Sequence, residues 1–332
     1  MEKTSIGERA GEKMKQYTKK QKYFEMIQPK NFKKDFPILE GKIVYLDNAA
    51  TTQKPRTVIE RIKRFYDEEN SNAHSGIYRI SEKTAEDMEN ARKKFAQLIG
   101  AEKDEIIFTR NATDSLNMIA ELLENSVNRG ANIVSTELEH HSNFIPWQKL
   151  AEKRNAEFRV AEYDAKNEEI HPEFLVDSKT EIVAFTMMSN VTGLITDAEK
   201  IISSVKRKNK YAIIVLDATQ AVAHTKINVK ALDADFVCFS AHKMYGPAGV
   251  GILYGRKAAL EGLDPKRYGG SMIKEVTAKK TTWADIPQRF EPGTMTAENI
   301  LGAAEAIDYL NKNNIQVLLK KEEQMRNYAL KK

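Results

Sequence analysis

Phe239-Ser-Ala-His-Lys-Met-Tyr-Gly-Pro-Ala-Gly-Val-Gly251 sets a lysine between an apolar run and a glycine-rich turn. The residues Asp235-Phe-Val-Cys-Phe-Ser240 predict a buried strand, and Gly246 and Pro247 turn the chain into a second, Gly249-Val-Gly-Ile-Leu-Tyr254. Lys243 therefore falls at a strand end, where layered α/β enzymes keep their chemistry. Most lysines are solvated surface charges. Here a hydroxyl at Ser240 and an imidazole at His242 flank the amine, a set that suits an anionic group beside a carbonyl compound. An amine deprotonated by desolvation can hold an aldehyde as a Schiff base.

Upstream, Tyr211-Ala-Ile-Ile-Val-Leu-Asp217 is another apolar strand, followed by Ala-Thr-Gln220. An acid at a strand end is ordinarily a turn or helix-cap residue. Paired with a Schiff-base lysine, Asp217 gains a specific use: it can keep the ring nitrogen of pyridoxal phosphate protonated, which makes the ring an electron sink. Gln220 can then hydrogen-bond the ring oxygen. Further upstream, the strand Glu105–Arg110 runs into a helix at Asn111-Ala-Thr-Asp. The free N–H groups at Ala112 and Thr113 make a phosphate site, compatible with Thr113 as a plain cap. Asn111 tolerates positive φ.

Strands at 157–163, 181–188 and 211–217 alternate with helical segments, which predicts a mostly parallel sheet covered on both faces. The pair 234–240 and 249–255 is too closely joined for a parallel crossover, so one antiparallel strand is expected. Helices are expected over 55–69 and from Ser81, a possible cap, to Gly100, with Ala85, Met88, Ala91, Phe95 and Leu98 on its core face. Helix is again expected from about 296 to 332.

The 332 residues are 41% hydrophobic and 30% charged, ordinary for a globular enzyme with one large domain and a smaller partner. The net charge of +5 is localised: residues 1–34 hold ten Lys or Arg against four Glu, a net of +6, leaving about −1 elsewhere. The body of the chain is thus not a nucleic-acid surface. No apolar run spans a bilayer and no secretory signal is present, so the expected compartment is the cytoplasm. One cysteine agrees with a reducing compartment, and the histidine spacing offers no metal site.

Together, Asp217-Ala-Thr-Gln220 and Ser240-Ala-His-Lys-Met-Tyr-Gly-Pro247 closely resemble the class V aminotransferase family of fold-type I pyridoxal phosphate enzymes. Within that family the chain is similar to group II cysteine desulfurases, the Suf-type enzymes and their selenocysteine-lyase relatives. Tyr45-Leu-Asp-Asn-Ala-Ala-Thr-Thr52, Glu139-His-His-Ser-Asn143, Ser189-Asn-Val-Thr-Gly193 and Arg289-Phe-Glu-Pro-Gly-Thr294 carry the same likeness in the same order.

The resemblance implies a mostly parallel seven-stranded sheet with helices on both faces. It implies a basic extension over 1–35, a cofactor-binding domain over 36–295, and the helical start of an incomplete small domain over 296–332. Lys243 would be the Schiff-base lysine and remove the substrate α-proton. His140 would stack on the pyridine ring and trade protons with the substrate, and Asp217, Gln220, Ala112, Thr113, Ser240, His242 and Asn190 would hold the cofactor. Ala49, Ala50, His74 and Asn190 would lie near the substrate, L-cysteine or selenocysteine, although a surface histidine accounts equally well for His74. Ser75 stands where the family has arginine, and Asn111 where it often has glycine. Thr294 would reach the phosphate in the other subunit of a homodimer, and the sulfur would pass to an acceptor or scaffold protein.

The family's small domain carries a sulfur-accepting cysteine and a carboxylate-binding arginine, and no region of this sequence matches it. Cys238, on the strand before Lys243, reads as an inert core residue. Two other readings therefore stand beside desulfuration: another class V elimination or transamination that needs no cysteine, and a non-catalytic fragment or assembly subunit.

Overall fold

The computed structural model describes residues 32–41, 43–73, 78–313 and 315–331. They fall into two units, Tyr45–Lys312 and a smaller one from the segments before Tyr45 and after Lys312. The smaller unit holds short 3-10 turns at Phe32–Asp35 and Pro37–Leu39 and the helix Ile315–Ala329.

The larger unit is built on seven strands: β1 (Ile106–Thr109), β2 (Asn132–Thr136), β3 (Glu157–Ala161), β4 (Thr180–Thr186), β5 (Ile213–Asp217), β6 (Phe236–Ser240) and β7 (Gly251–Gly255). Their order across the sheet is β1-β7-β6-β5-β4-β2-β3. Every pair from β6 to β3 is parallel, and only β7 runs against its neighbours β1 and β6. β1, β2, β6 and β7 are buried along their whole length, as an apolar strand covered on both faces must be. β1, β3 and β4 end one to two residues short of the expected bounds, whereas β5, β6 and β7 end where expected and start two residues later.

The covering helices are α1 (Arg56–Arg64), α2 (Arg79–Ile99), α3 (Ala112–Leu123), α4 (Ile145–Arg154), α5 (Ala198–Lys208) and α6 (Ala297–Lys312). Ile107, Leu116, Trp147, Val215, Phe236, Cys238 and Leu253 belong to one core cluster, so the thiol of Cys238 is a packing group. The expected helix over 55–69 is α-helical only to Arg64 and continues as a wider π-type turn over Phe65–Glu69.

Ser81 does not cap α2. The helix starts a turn earlier, with Tyr78 at its N-cap, and the buried Ser81 hydroxyl donates to Asn72 O at 2.5 Å. Met88, Ala91 and Phe95 of the expected stripe are buried, whereas Ala85 and Leu98 lie at its margin and Arg92 and Ile99 are buried instead. Gly100 ends the helix at φ +71°, the left-handed residue that glycine supplies. α6 packs on α1 and α2, and a Cβ at Gly302 would come within 2.7 Å of Ile62 Cγ1. Among the described residues no helix is long and apolar enough to cross a membrane.

β7 needs glycine at its first residue. A Cβ on Gly251 would lie 2.4 Å from Asn111 C and from Thr109 Oγ1, so the turn from β1 into α3 crosses directly over it. That close approach sets the N-terminus of α3 over the C-terminal ends of the parallel strands.

Candidate active site

The parallel strands end on polar residues. Thr186 at the end of β4 pairs in register with Asp217 at the end of β5, and Asp217 with Cys238 on β6. Above these ends, a cavity of about 290 Å³ is lined by Ala112 and Thr113 from α3, His140 and Ser142 beyond β2, and Thr186, Met188 and Asn190 beyond β4. Asp217, Thr219 and Gln220, with Ser240, His242 and Lys243, complete it, and Ala50 covers it.

Asp217 is only 5% exposed. Its Oδ1 accepts the Thr219 N–H at 2.9 Å. Burial pushes its carboxyl above the usual range, opposed by the Thr219 hydrogen bonds and by His140 and Lys243. An acid in this state gains most from a cationic partner within the cavity.

Lys243 is half-buried, and its Nζ donates to Ala49 O at 2.8 Å. Desolvation holds its amine below the ordinary lysine value, with the charges of Asp217 and Asp47 pulling the other way. Gln220 Nε2 donates to the same Ala49 carbonyl at 2.9 Å. Ala49 thus takes part through its backbone, and Ala50 supplies the small lining side chain.

At the other end, Asn111 caps α3: its Oδ1 accepts the Asp114 N–H at 2.8 Å. Its φ of −174° is extended backbone, so its tolerance of positive φ is not drawn on; the asparagine serves as the cap. Ser240 Oγ accepts the Ala112 N–H at 2.8 Å, which leaves the hydroxyl proton to donate into the cavity. Thr113 Oγ1 and Ser142 Oγ lie 2.6 Å apart. A helix N-terminus edged by three hydroxyls is a site for an anion. His242, whose imidazole is held below its usual pKa by desolvation and then by Lys243 and Lys54, adds a mainly neutral ring.

His140 caps the short turn His141–Asn143, with Nδ1 accepting the Ser142 N–H at 3.2 Å. The neutral ring therefore carries its proton on Nε2. Glu139 fixes this loop, accepting from Thr136 Oγ1 at 2.6 Å, Asn143 Nδ2 at 2.5 Å and Thr186 N at 2.9 Å. Asn143 Oδ1 in turn accepts from Trp147 Nε1 at 2.9 Å. Burial lifts Glu139 to about 8 against those three donors.

Of the residues singled out from sequence, His140, Asn190, Asp217, Gln220, Ser240, His242, Lys243, Ala112, Thr113 and Ala50 line one cavity. Thr294 is exposed and lies outside that lining. His74 falls outside the described residues. Thr186, Met188, Thr219 and Ser142 line the cavity as well without being singled out from sequence; Thr186 and Met188 lie in the stretch expected as strand over 181–188, and Thr219 and Ser142 inside the motifs 217–220 and 139–143.

The site can hold a flat molecule with an anionic group at one end, a basic nitrogen at the other and a carbonyl within reach of an amine. Residues 44–332 match the family described as aminotransferase class-V. The chain is 39% identical over 321 residues to a probable cysteine desulfurase of Streptomyces coelicolor, covering 92% of this chain and 76% of that one. It is 38% identical over 314 residues to a cysteine desulfurase of Wigglesworthia glossinidia brevipalpis, with 91% and 76% covered.

Among solved structures, the apo cysteine desulfurase of Thermococcus onnurineus NA1 superposes with a TM-score of 0.87 at 33% identity, over 91% of this chain and 76% of that one. The cysteine desulfurase CsdA of Escherichia coli gives 0.78 at 33% identity, over 86% and 72%. The chain thus spans about three quarters of these relatives' length. With the sheet order, the strand-end lysine and the matched span in agreement, the chain belongs to the aminotransferase class-V family and has its fold-type I architecture.

Proposed function

We propose that this protein is a pyridoxal-phosphate-dependent cysteine desulfurase, of the group II, Suf-type branch, that takes L-cysteine or its selenium counterpart. The observation that carries the proposal is the half-buried Lys243 amine in one cavity with the buried Asp217 carboxyl and the start of α3. Those residues fit the cofactor: burial has left Asp217 in want of a cation, which a protonated pyridine nitrogen supplies. Thr113, Ser240, His242 and the positive N-terminal end of α3 suit the phosphate. When bound, pyridoxal phosphate supplies an aldehyde for capture by an amine and a ring that withdraws electrons from the substrate α-carbon.

The chain's own residues do the rest. Lys243 Nζ would be the amine that holds the cofactor aldehyde and the base that takes the proton from the substrate Cα. Asp217 would keep the ring nitrogen charged. His140, protonated on Nε2, faces the cavity as the second proton carrier. Gln220 and Asn190 would position ring oxygen and substrate carboxylate, and the small residues Ala49 and Ala50 would leave space for the substrate. In the net reaction the Cβ–Sγ bond breaks, the sulfur passes to an acceptor thiol as a persulfide, and Cβ takes a proton to give alanine. Cys238 is fully buried with its thiol pushed well up by burial, so the acceptor is a thiol other than Cys238.

Two copies are part of this proposal, with the exposed Thr294 of each reaching the phosphate of the other. Residues 1–35 would be a basic extension, 36–295 the cofactor-binding domain and 296–332 the first part of a smaller one; the packing of α6 on α1 and α2 weighs against a boundary at 296. The expected compartment is the cytoplasm.

Incubating the protein with pyridoxal phosphate, L-cysteine and excess dithiol tests the proposal: alanine and sulfide should appear in equal amounts. Pyruvate and ammonia would instead support β-elimination, the second reading, which asks no sulfur-accepting role of the buried Cys238. Absence of any cofactor absorbance would overturn both.

A further inference from the structure

The segment from Ala49 to Lys54 holds the lysine loop at both ends. The His242 carbonyl, one peptide before Lys243, accepts from Thr52 N at 3.1 Å, Thr52 Oγ1 at 2.9 Å, Thr51 Oγ1 at 3.3 Å and Lys54 Nζ at 3.1 Å. Four donors on one carbonyl are more than its two lone pairs serve separately, so the peptide plane is over-determined. The same Thr52 hydroxyl accepts the Tyr245 N–H at 2.8 Å. Tyr245 sits at φ +67°, a left-handed conformation that a bulky residue keeps only where its surroundings hold it. Thr52 is 6% exposed and so bridges, out of water, the peptides on either side of Lys243 and Met244.

Lys54 adds to the grip from the other side of the same loop. Its amine reaches both Thr52 O and His242 O, tying the two strands of contact together. Its half-buried amine is brought to about 8 by desolvation. At the far end of the lysine, Ala49 O receives Nζ itself. One short segment therefore fixes both the root and the tip of the side chain.

We propose that Thr52 and Lys54 are positioning residues for Lys243, fixing the His242–Lys243 peptide so that the amine meets the cofactor aldehyde in a single pose. The inference rests on the cofactor reading of the cavity. It separates alignment of the amine from affinity for the ring and phosphate, which other residues supply. A misaligned amine still sits in a cavity that binds the cofactor's shape, but captures the aldehyde slowly.

The test compares two probes on the apo protein. Pyridoxal 5′-phosphate can be captured: the amine nitrogen forms a bond to the aldehyde carbon and the aldehyde oxygen leaves as water. Pyridoxine 5′-phosphate, an alcohol, binds without that step. Thr52→Val and Lys54→Met should each slow capture, followed by stopped-flow absorbance, about 10-fold or more, with the affinity for pyridoxine phosphate changed less than about 3-fold. Thr52→Ser should restore the rate, because it returns the hydroxyl.

Equal loss with both probes would mean a role in general packing and overturn the inference, as would an unchanged capture rate. Failure of the unmodified protein to bind either probe would instead strike the cofactor reading. If Thr52→Val does not fold, Lys54→Met against Lys54→Arg gives the same comparison on a partly exposed side chain.

Discussion

Two buried charge sites in this molecule are treated in opposite ways. Arg92 on α2 and Glu291 are 2% and 4% exposed and meet in a two-pronged pair at 2.7 and 3.0 Å. Arg92 also donates to Ile106 O at 2.8 Å and lies 4.4 Å over the Phe108 ring, while Glu291 accepts the Phe108 N–H at 2.6 Å. Each charge has its complement inside the protein. Asp217 is as deeply buried, yet its charge is met by a threonine N–H and by a lysine that desolvation discourages from carrying charge. A matched buried charge holds elements together, here α2, β1 and the 289–294 loop. An incompletely matched one stores a demand that only a ligand can meet.

Removing the amine should have the largest effect. Lys243→Ala is expected to abolish the visible absorbance of bound pyridoxal phosphate and lower cysteine turnover by about 10⁴-fold or more, with unfolding midpoints close to the parent. A large loss of stability would make Lys243 part of the structural class and break the comparison.

Splitting the matched pair should do the reverse. Arg92→Met leaves Glu291 buried without its cation and is expected to cost about 3–5 kcal/mol in denaturant unfolding. The double variant Arg92→Met with Glu291→Leu should recover a large part of that loss.

Asp217→Asn sharpens the contrast through pH. The folded carboxyl titrates above its unfolded value near 3.8, so the folded state binds the extra proton there. Its contribution to apo stability is fully present below that pH and is lost as pH rises through the folded value. The asparagine variant should therefore lose less stability than the parent between pH 4 and 7, measured without cofactor. A parallel pair of curves would show that burial does not strain this acid.

The smallest effect is expected at a buried neutral group. Cys238→Ala removes one packed sulfur and should cost about 1 kcal/mol, with alanine production within about 2-fold of the parent. Loss of sulfur transfer to external thiol would instead make Cys238 an acceptor.

The parallel core could be read from the sequence because apolar runs of β-branched residues between turn signals are local properties, as in Ile213–Asp217 and Phe236–Ser240. The cavity was legible for the same reason: Asp217, Ser240 and Lys243 sit directly at strand ends. The links across the chain were not. Arg92 and Glu291 are 199 positions apart, and the Thr52–His242 contact ends on a backbone oxygen, which every residue has. Glu139 lay in a recognised motif, but its three donors come from Thr136, Asn143 and Thr186, and no spacing announces such a convergence. Ser81 shows a local rule misapplied: a serine near a helix start is a cap only if its hydroxyl is free, and this one is spent on Asn72.

The antiparallel strand also has a bearing on the order in which the molecule assembles. Thr109 and Gly251 are register partners in the finished sheet, yet the ribosome makes the second 142 residues after the first. At about 5–20 residues per second, β1 waits roughly 7 to 28 seconds for its partner strand. Until then the turn over Gly251, and with it the cradle at Asn111–Thr113, has no floor. A nascent chain stalled before β7 should therefore be unable to retain the cofactor, however complete its parallel strands.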